Sequence, residues 1–198
     1  MSMRFNFGII VLMVLLCSVV FAQDPPPPVK EYRATAWKEF KSAEGRFSIS
    51  LPGTPKPEVR TLDTPIGKLT IHFFTLDTDL GQYYIDYKDF PVAPTTPEET
   101  KEALDSARDK ALAGGARLLV ENDVSMAGVV ARELLVQKGA FILRARFFSV
   151  KSRSYQLILA TLPNVVFKNG KPSANAADRT DLFEMVSKKF FDSFKVTE

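Results

Sequence analysis

The only histidine of this 198-residue chain, His72, is the one conventional general base that a hydrolytic site could use. A catalytic triad also needs a nucleophile, yet the sequence has no Gly-x-Ser-x-Gly turn to present a serine. His72 alternates with Ile71 and Phe73 in a pattern typical of a strand. We therefore expect a packed or partly exposed strand histidine, with a hydrolase using His72 as the alternative. Zinc bound by several histidines is excluded by their number.

The densest group of carboxylates is Asp77 and Asp79, which precede Gly81, with two aspartates downstream, Asp86 and Asp89. Calcium takes several oxygen ligands, and alternating aspartates before a glycine supply some of them. The spacing does not complete a calcium loop, because the position directly before Gly81 is Leu80, not an acidic or amide residue, and no bidentate glutamate follows. A solvated turn is the expectation, and a cation site at Asp77 and Asp79 is the alternative.

Arg144 and Arg146 lie on the same side of a predicted strand, and Arg132 belongs to the other side. Two neighbouring guanidinium groups could bind a carboxylate or a phosphate. A two-residue turn at Lys138-Gly139 would place Glu133 opposite Arg144. We expect structural pairing, with an anion site at Arg144 and Arg146 as the alternative.

The connection from Pro163 to Ala177 is long for a compact domain. It carries an apolar trio, Val165, Val166 and Phe167, before a turn at Asn169-Gly170. The trio either packs back as an extra strand or forms a loop that contacts a partner. A partner-binding role for Val165, Val166 and Phe167 is thus one of two predictions for this segment.

Four strands, a helix, four more strands and a second helix are predicted around these residues. Thr96-Pro97-Glu98-Glu99 combines an N-cap, a first-turn proline and a capping box, which predicts a helix to about Ala113. The second helix is predicted over about 178–191. Short links indicate antiparallel strands, and strands apolar on both sides indicate a sheet covered on both faces. The predicted fold is α+β, an α/β/α sandwich with one central antiparallel sheet and two covering helices.

The first residues are typical of a secretory signal peptide, with Arg4, an uncharged run of about 15 residues, and a small residue at Ala22. A retained anchor is the weaker interpretation, since that run is shorter than the ~20 residues needed to span a bilayer. We expect a signal peptide at 1–22, cleaved after about Ala22, a proline-rich spacer at 23–36, and a single domain at 37–198. The product would be periplasmic or extracellular, without obligate membrane insertion.

Cleavage would remove Cys17, the only cysteine, so disulfides and thiolate metal sites are not expected in the product. It would also remove one of the 26 basic residues, leaving 25 against 23 acidic residues, or +2. This near-neutral balance argues against nucleic acid or an anionic membrane as the obligate partner. We expect no cofactor and no enzymatic activity, and the predicted partner is another envelope or secreted protein.

Several stretches resemble secreted proteins of the PsbP type, which include the bacterial DcrB-like proteins. They are 44–53 (EGRFSISLPG), 155–157 (YQL) and 191–194 (FDSF), within a similarity that spans Trp37 to Val196. The resemblance implies an α/β/α sandwich around a central antiparallel sheet. It also implies a non-enzymatic role, in binding protein complexes or modulating ion retention. The histidines of that family's ion sites have no matching motif in this sequence.

Overall fold

The computed structural model describes residues 36–64, 67–78, 81–161, 167–168, 171–172 and 177–197. The predicted signal peptide and nearly all of the predicted spacer lie outside these residues. The elements in chain order are β1 (Lys38–Ser42), β2 (Phe47–Leu51), β3 (Lys56–Thr64), β4 (Gly67–Asp77), β5 (Gly81–Asp89), α1 (Pro97–Leu112), β6 (Arg117–Met126), β7 (Val129–Lys138), β8 (Phe141–Val150), β9 (Arg153–Thr161), β10 (Phe167–Lys168), β11 (Lys171–Pro172), α2 (Ala177–Asp192) and β12 (Lys195–Val196). Within this part of the chain no helix has the length and apolarity that crossing a membrane requires.

A seven-stranded antiparallel sheet forms the body of the protein, in the order β3-β4-β5-β9-β8-β7-β6. The two predicted blocks of hairpins meet where β5 pairs with β9. Short links join the neighbouring strands within each block, which is why their pairing is antiparallel. The α+β class and the antiparallel pairing predicted from the sequence are confirmed.

One central sheet was expected, but β1, β2 and β12 form a separate three-stranded antiparallel sheet. The chain after β2 passes through Pro52, Gly53 and Pro55, which cannot extend β2 into the larger ladder. Phe47, at the start of β2, is fully buried and lies 5.3 Å from the ring of Phe194. The small sheet therefore contributes to the core as an additional layer, which the expectation of a single sheet missed.

The predicted turn between β7 and β8 is wrong by one residue. Lys138 pairs with Phe141, so Gly139 and Ala140 form the turn, and Gly139 takes a left-handed φ of 59°. That conformation costs little only for glycine at this first turn position. Glu133 is consequently opposite Arg146, not opposite Arg144.

Helix α1 begins as predicted: the Thr96 hydroxyl accepts from the Glu99 amide, and the Glu99 carboxylate accepts from the Thr96 amide. Its one buried residue is Leu104. Leu104 packs on a cluster from β7 and β8 that consists of Leu134, Val136, Ala145 and Phe147. Helix α1 is therefore held to the sheet by a small apolar contact, and charged groups add to it.

Helix α2 packs on a much larger core. Phe190 is fully buried and meets Tyr83 of β5 edge-on, with ring centroids 5.2 Å apart. The same cluster collects buried apolar residues from β2, β5, β8, β9 and the last residues of the chain, namely Phe47, Ile49, Leu51, Ile85, Tyr87, Phe148, Tyr155, Leu157, Leu159, Phe183, Val186, Phe191 and Phe194. Most of the hydrophobic stabilisation of the fold is concentrated here.

Candidate functional site

His72 lies on β4, and its ring stacks on Tyr87 of β5 with centroids 4.5 Å apart and planes 8° from parallel. Its Nε2 atom is 3.5 Å from the Glu44 Oε1 atom, which belongs to the turn between β1 and β2. The His72 side chain is 19% exposed. Among the described residues, the partners of His72 are thus the carboxylate of Glu44 and the phenol ring of Tyr87. No serine, threonine or cysteine nucleophile is among these partners.

Tyr87 also contacts Arg153 of β9, whose guanidinium carbon lies 4.7 Å from the ring centroid. Arg153 donates to both carboxylate oxygens of Asp89, at 2.7 and 2.6 Å, and to the carbonyl oxygen of Glu44. These hydrogen bonds hold the pKa of Asp89 below its usual range. Burial, followed by the charge of Glu44, raises the pKa of Tyr87 to about 12. The cluster therefore consists of a protonated phenol between an imidazole and a paired guanidinium.

The described residues do not place the carboxylates of the predicted cation site next to one another. Asp77 ends β4 opposite Gln82, and Asp79 lies outside the described part of the chain. Asp86 is buried and pairs with Lys88 at 3.1 Å, whereas Asp89 is bound to Arg153. Among the described residues, no group of three metal-ligating side chains occurs. A cation site at Asp77 and Asp79 stays a prediction.

Arg144 and Arg146 lie under α2, and each is paired with carboxylates. Arg144 donates to both carboxylate oxygens of Glu184 at 2.7 Å. Arg146 donates to Glu133 at 2.6 Å and lies 3.7 Å from Asp192. Both guanidinium groups also face aromatic rings of α2. The structural pairing expected from the sequence is present, with a different partner for Arg144, and the anion site stays a prediction.

The predicted partner loop is only partly described. Phe167 belongs to β10, which pairs with β11 in a two-stranded ladder through Phe167 and Pro172. Val165 and Val166 lie outside the described residues. A short strand thus includes one residue of the trio, and the partner-binding role of Val165, Val166 and Phe167 stays a prediction.

A groove of about 580 Å³ opens where α1 begins, and we call it the α1 groove. Helix α1 starts at Pro97 and leaves the ends of β7 and β8 uncovered, so that Val130 and Ser149 lie at its floor. The chain entering the helix forms one wall, and charged side chains border the opening. Its lining residues include Pro94, Thr95, Thr96, Pro97, Thr100, Lys101, Asp123, Val129, Val130, Arg132, Ser149 and Lys151.

Beside the α1 groove, Arg132 binds three carboxylates. Its guanidinium donates to Asp105 of α1 at 2.9 Å, to Asp123 of β6 at 2.6 Å, and to Glu121 of β6. Its side chain is 7% exposed. The alternation of Glu121 and Asp123 along an edge strand was a signal for this network, but which residue of β7 lies beside them depends on the register of pairing.

A second buried polar group lies on the same face of the sheet, between β5 and α1. Burial raises the pKa of Asp86 despite its pairing with Lys88. Lys110 of α1 is close enough to Lys88 to feel its charge. Burial, and then the charge of Lys88, lowers the pKa of Lys110 to about 8. Sequence analysis missed this cluster because an aspartate and a lysine two residues apart also occur on many solvated strands.

These elements define the class of protein: an α+β domain, rich in antiparallel strands, with two helices. Within that class the fold is similar to cyanobacterial PsbP (CyanoP) from Synechocystis sp. PCC 6803, whose solution structure matches with a TM-score of 0.50 at 13% identity. The match covers 87% of this chain and 99% of that chain. A protein of unknown function from Pseudomonas aeruginosa matches with a TM-score of 0.34 at 12% identity, over 78% of this chain and 95% of that chain. No family model and no curated protein sequence matches. The PsbP-like fold expected from the sequence is confirmed.

Proposed function

We propose that this chain is an exported accessory domain of PsbP-like type, without catalytic activity, that acts by binding another envelope or secreted protein. The observation that carries the proposal is the fold likeness to cyanobacterial PsbP over 87% of the chain. Fold alone does not transfer function, so the proposal also needs support from particular residues and surfaces of this chain. The sequence supports export through its predicted signal peptide at 1–22.

The surroundings of His72 support a non-catalytic role over a hydrolase. A base that activates a hydroxyl lies within hydrogen-bond reach of it, at about 2.6–3.2 Å. His72 instead stacks on Tyr87 and faces Glu44 at 3.5 Å, which is the environment of a packed strand residue. The substitution His72→Phe would preserve the stacking, and we expect it to leave partner binding unchanged.

We further propose that the layers follow the α/β/α plan that the resemblance to PsbP-type and DcrB-like proteins implies. What supports this is the separation of the two helix contacts. The cluster under α1 contains Leu134, Ala145 and Phe147, whereas the cluster under α2 contains Phe148 and Leu157. Since neighbouring residues of a strand point to opposite faces, Phe147 and Phe148 belong to opposite sides of the sheet.

The test of the proposed function is crosslinking in intact source cells, followed by isolation of the chain and identification of what is attached. One recurring protein partner is expected, in the same compartment as the chain. Recovery of the free monomer alone, with several crosslinkers of different length, would refute the proposal. N-terminal sequencing of the isolated chain tests export separately, since a start at or near Gln23 is expected.

A further inference from the structure

The α1 groove has an apolar floor that no described element covers. Val130 is 52% exposed although it lies on the face of β7 that α1 covers further along. Pro94, Pro97 and Ala103 also line the groove. Contact of an apolar side chain with Val130 would be favourable, because apolar surface would leave water.

The α1 groove is lined by three cations and one carboxylate, but two of the cations are already in ion pairs. Lys101, Arg132 and Lys151 line it, against one carboxylate, Asp123. Arg132 is already bound to three carboxylates, and Lys101 pairs within its helix with Asp105. Lys151 has no ion-pair partner among the described residues. An acidic ligand would therefore find Lys151 available and Lys101 exposed beside it.

The backbone of Lys151 is a second, independent observation. Lys151 and Ser152 form the two-residue turn between β8 and β9, and Lys151 has a left-handed φ of 56°. A residue with a Cβ atom is strained in this conformation, whereas glycine is not. Arg46 and Ala127 take the same conformation, and at Lys151 it holds the lysine in the turn that borders the α1 groove.

We propose that the α1 groove binds a short, carboxylate-bearing segment of the partner protein, with an apolar side chain on Val130 and acidic side chains at Lys101 and Lys151. This inference rests on the proposed function, because it names the chemistry of the partner. A volume of about 580 Å³ falls within the ~300–1,000 Å³ of typical ligand sites. The groove thus holds a few side chains and forms one part of a larger interface.

The first experiment titrates the purified full chain, labelled with ¹⁵N, with a capped synthetic heptapeptide of alternating glutamate and valine. Shifts of the amide signals of Val130, Ser149 and Lys151 are expected. The counterpart peptide with lysine in place of glutamate should bind at least tenfold more weakly. Equal binding of the two peptides, or shifts confined to another surface, would overturn the proposal.

The decisive variant is Lys151→Gly, because it separates binding from folding. It removes the backbone strain, so the chain should unfold at a higher urea concentration, while the affinity for the acidic peptide falls about fivefold. Lys101→Gln added to it should bring the loss to about twentyfold. Lys68→Gln, at an exposed lysine on β4 that pairs with Asp63, is the matched control and should leave affinity unchanged. Unchanged affinity in Lys151→Gly would refute the inference.

Photo-crosslinking in source cells separates failure of this inference from failure of the proposed function. A photoreactive residue replaces Val130 in one variant and Val59 of β3, which is 58% exposed, in another. A crosslink from Val130 to an acidic segment of the partner, lost in Lys151→Gly, supports the inference. A partner crosslinked only from Val59 overturns the inference and leaves the proposed function intact. No crosslink to any protein from either position counts against both.

Discussion

Removing the cation at the centre of the Arg132 network should strongly destabilise the protein. The substitution Arg132→Met preserves most of the side-chain volume and leaves Asp105, Glu121 and Asp123 without their shared partner. Removing one member of a buried ion pair costs about 3–5 kcal/mol. Two factors reduce that figure: the carboxylates are partly exposed, and Lys101 still binds Asp105. We therefore expect a loss of about 3 kcal/mol in the free energy of unfolding.

The assay is equilibrium unfolding in urea, followed by the fluorescence of Trp37, the only tryptophan. Trp37 reports on native packing because its ring meets Tyr83 edge-on at 6.0 Å. With a urea dependence of about 2 kcal/mol per molar, a loss of about 3 kcal/mol lowers the midpoint by about 1.5 M. The matched control is Arg108→Met, because Arg108 contacts Asp105 and Glu121 but is 28% exposed. It should cost less than about 1 kcal/mol.

The dependence on pH identifies the cause of the loss. Hydrogen bonds from Lys101, and then from Arg132, lower the pKa of Asp105 in the folded protein. Such a carboxylate stabilises the fold above its unfolded pKa, and that stabilisation disappears as the pH falls through the folded value. The native protein should therefore lose more stability than Arg132→Met as the pH falls below about 4, the ordinary pKa of an aspartate in the unfolded chain, and the two should converge only below the lowered pKa of folded Asp105. A difference that stays constant from pH 7 down to about pH 2 would refute the electrostatic explanation, as would equal losses in Arg132→Met and Arg108→Met.

Two further predictions concern the core and the buried lysine. Phe47→Ala should cost about 3–5 kcal/mol in urea unfolding, because Phe47 is fully buried among aromatic rings, whereas Val59→Ala at an exposed site should stay within about 0.5 kcal/mol. Equal midpoints for these two variants would contradict the assigned core. Burial and the charge of Lys88 lower the pKa of Lys110 to about 8. Between about pH 8 and the ordinary lysine pKa near 10, Lys110 is therefore protonated in the unfolded chain and neutral in the folded chain. Stability should rise with pH across that window in the native chain and less so in Lys110→Met, and parallel pH profiles for the two proteins would contradict it.

Local signals in the sequence predicted the elements of the fold well. The capping box at Thr96 and Glu99 placed the start of α1, and its predicted end near Ala113 is one residue beyond the observed Leu112. These signals succeed because each depends on residues a few positions apart. The turn at Gly139 was misplaced by one residue, since several two-residue turns around one glycine satisfy the same local pattern.

Long-range contacts could not be predicted from those signals. The small sheet requires β12, at the end of the chain, to pair with β2 near its start. The Arg153 contact with the carbonyl of Glu44 joins residues 109 positions apart. Alternation along a strand tells which side chains are buried, but it does not tell which strand lies beside it. His72 was correctly expected on a strand, whereas its partners Glu44 and Tyr87 required the assembled sheets.

The contrast between the two helices bears on how the α1 groove could respond to a partner. Helix α2 is anchored by a continuous aromatic core, whereas α1 buries Leu104 and relies on Asp105 bound to Arg132. Ion pairs at the edge of a site depend on salt and solvent more strongly than apolar packing does. An acidic segment at Lys101 would compete with Asp105 for the same ammonium group. Asp105 would then depend more on its ion pair with Arg132. Occupation of the groove and stability of the α1 attachment are therefore coupled through Asp105, and Asp105→Asn should tighten binding of the acidic peptide while lowering the urea midpoint.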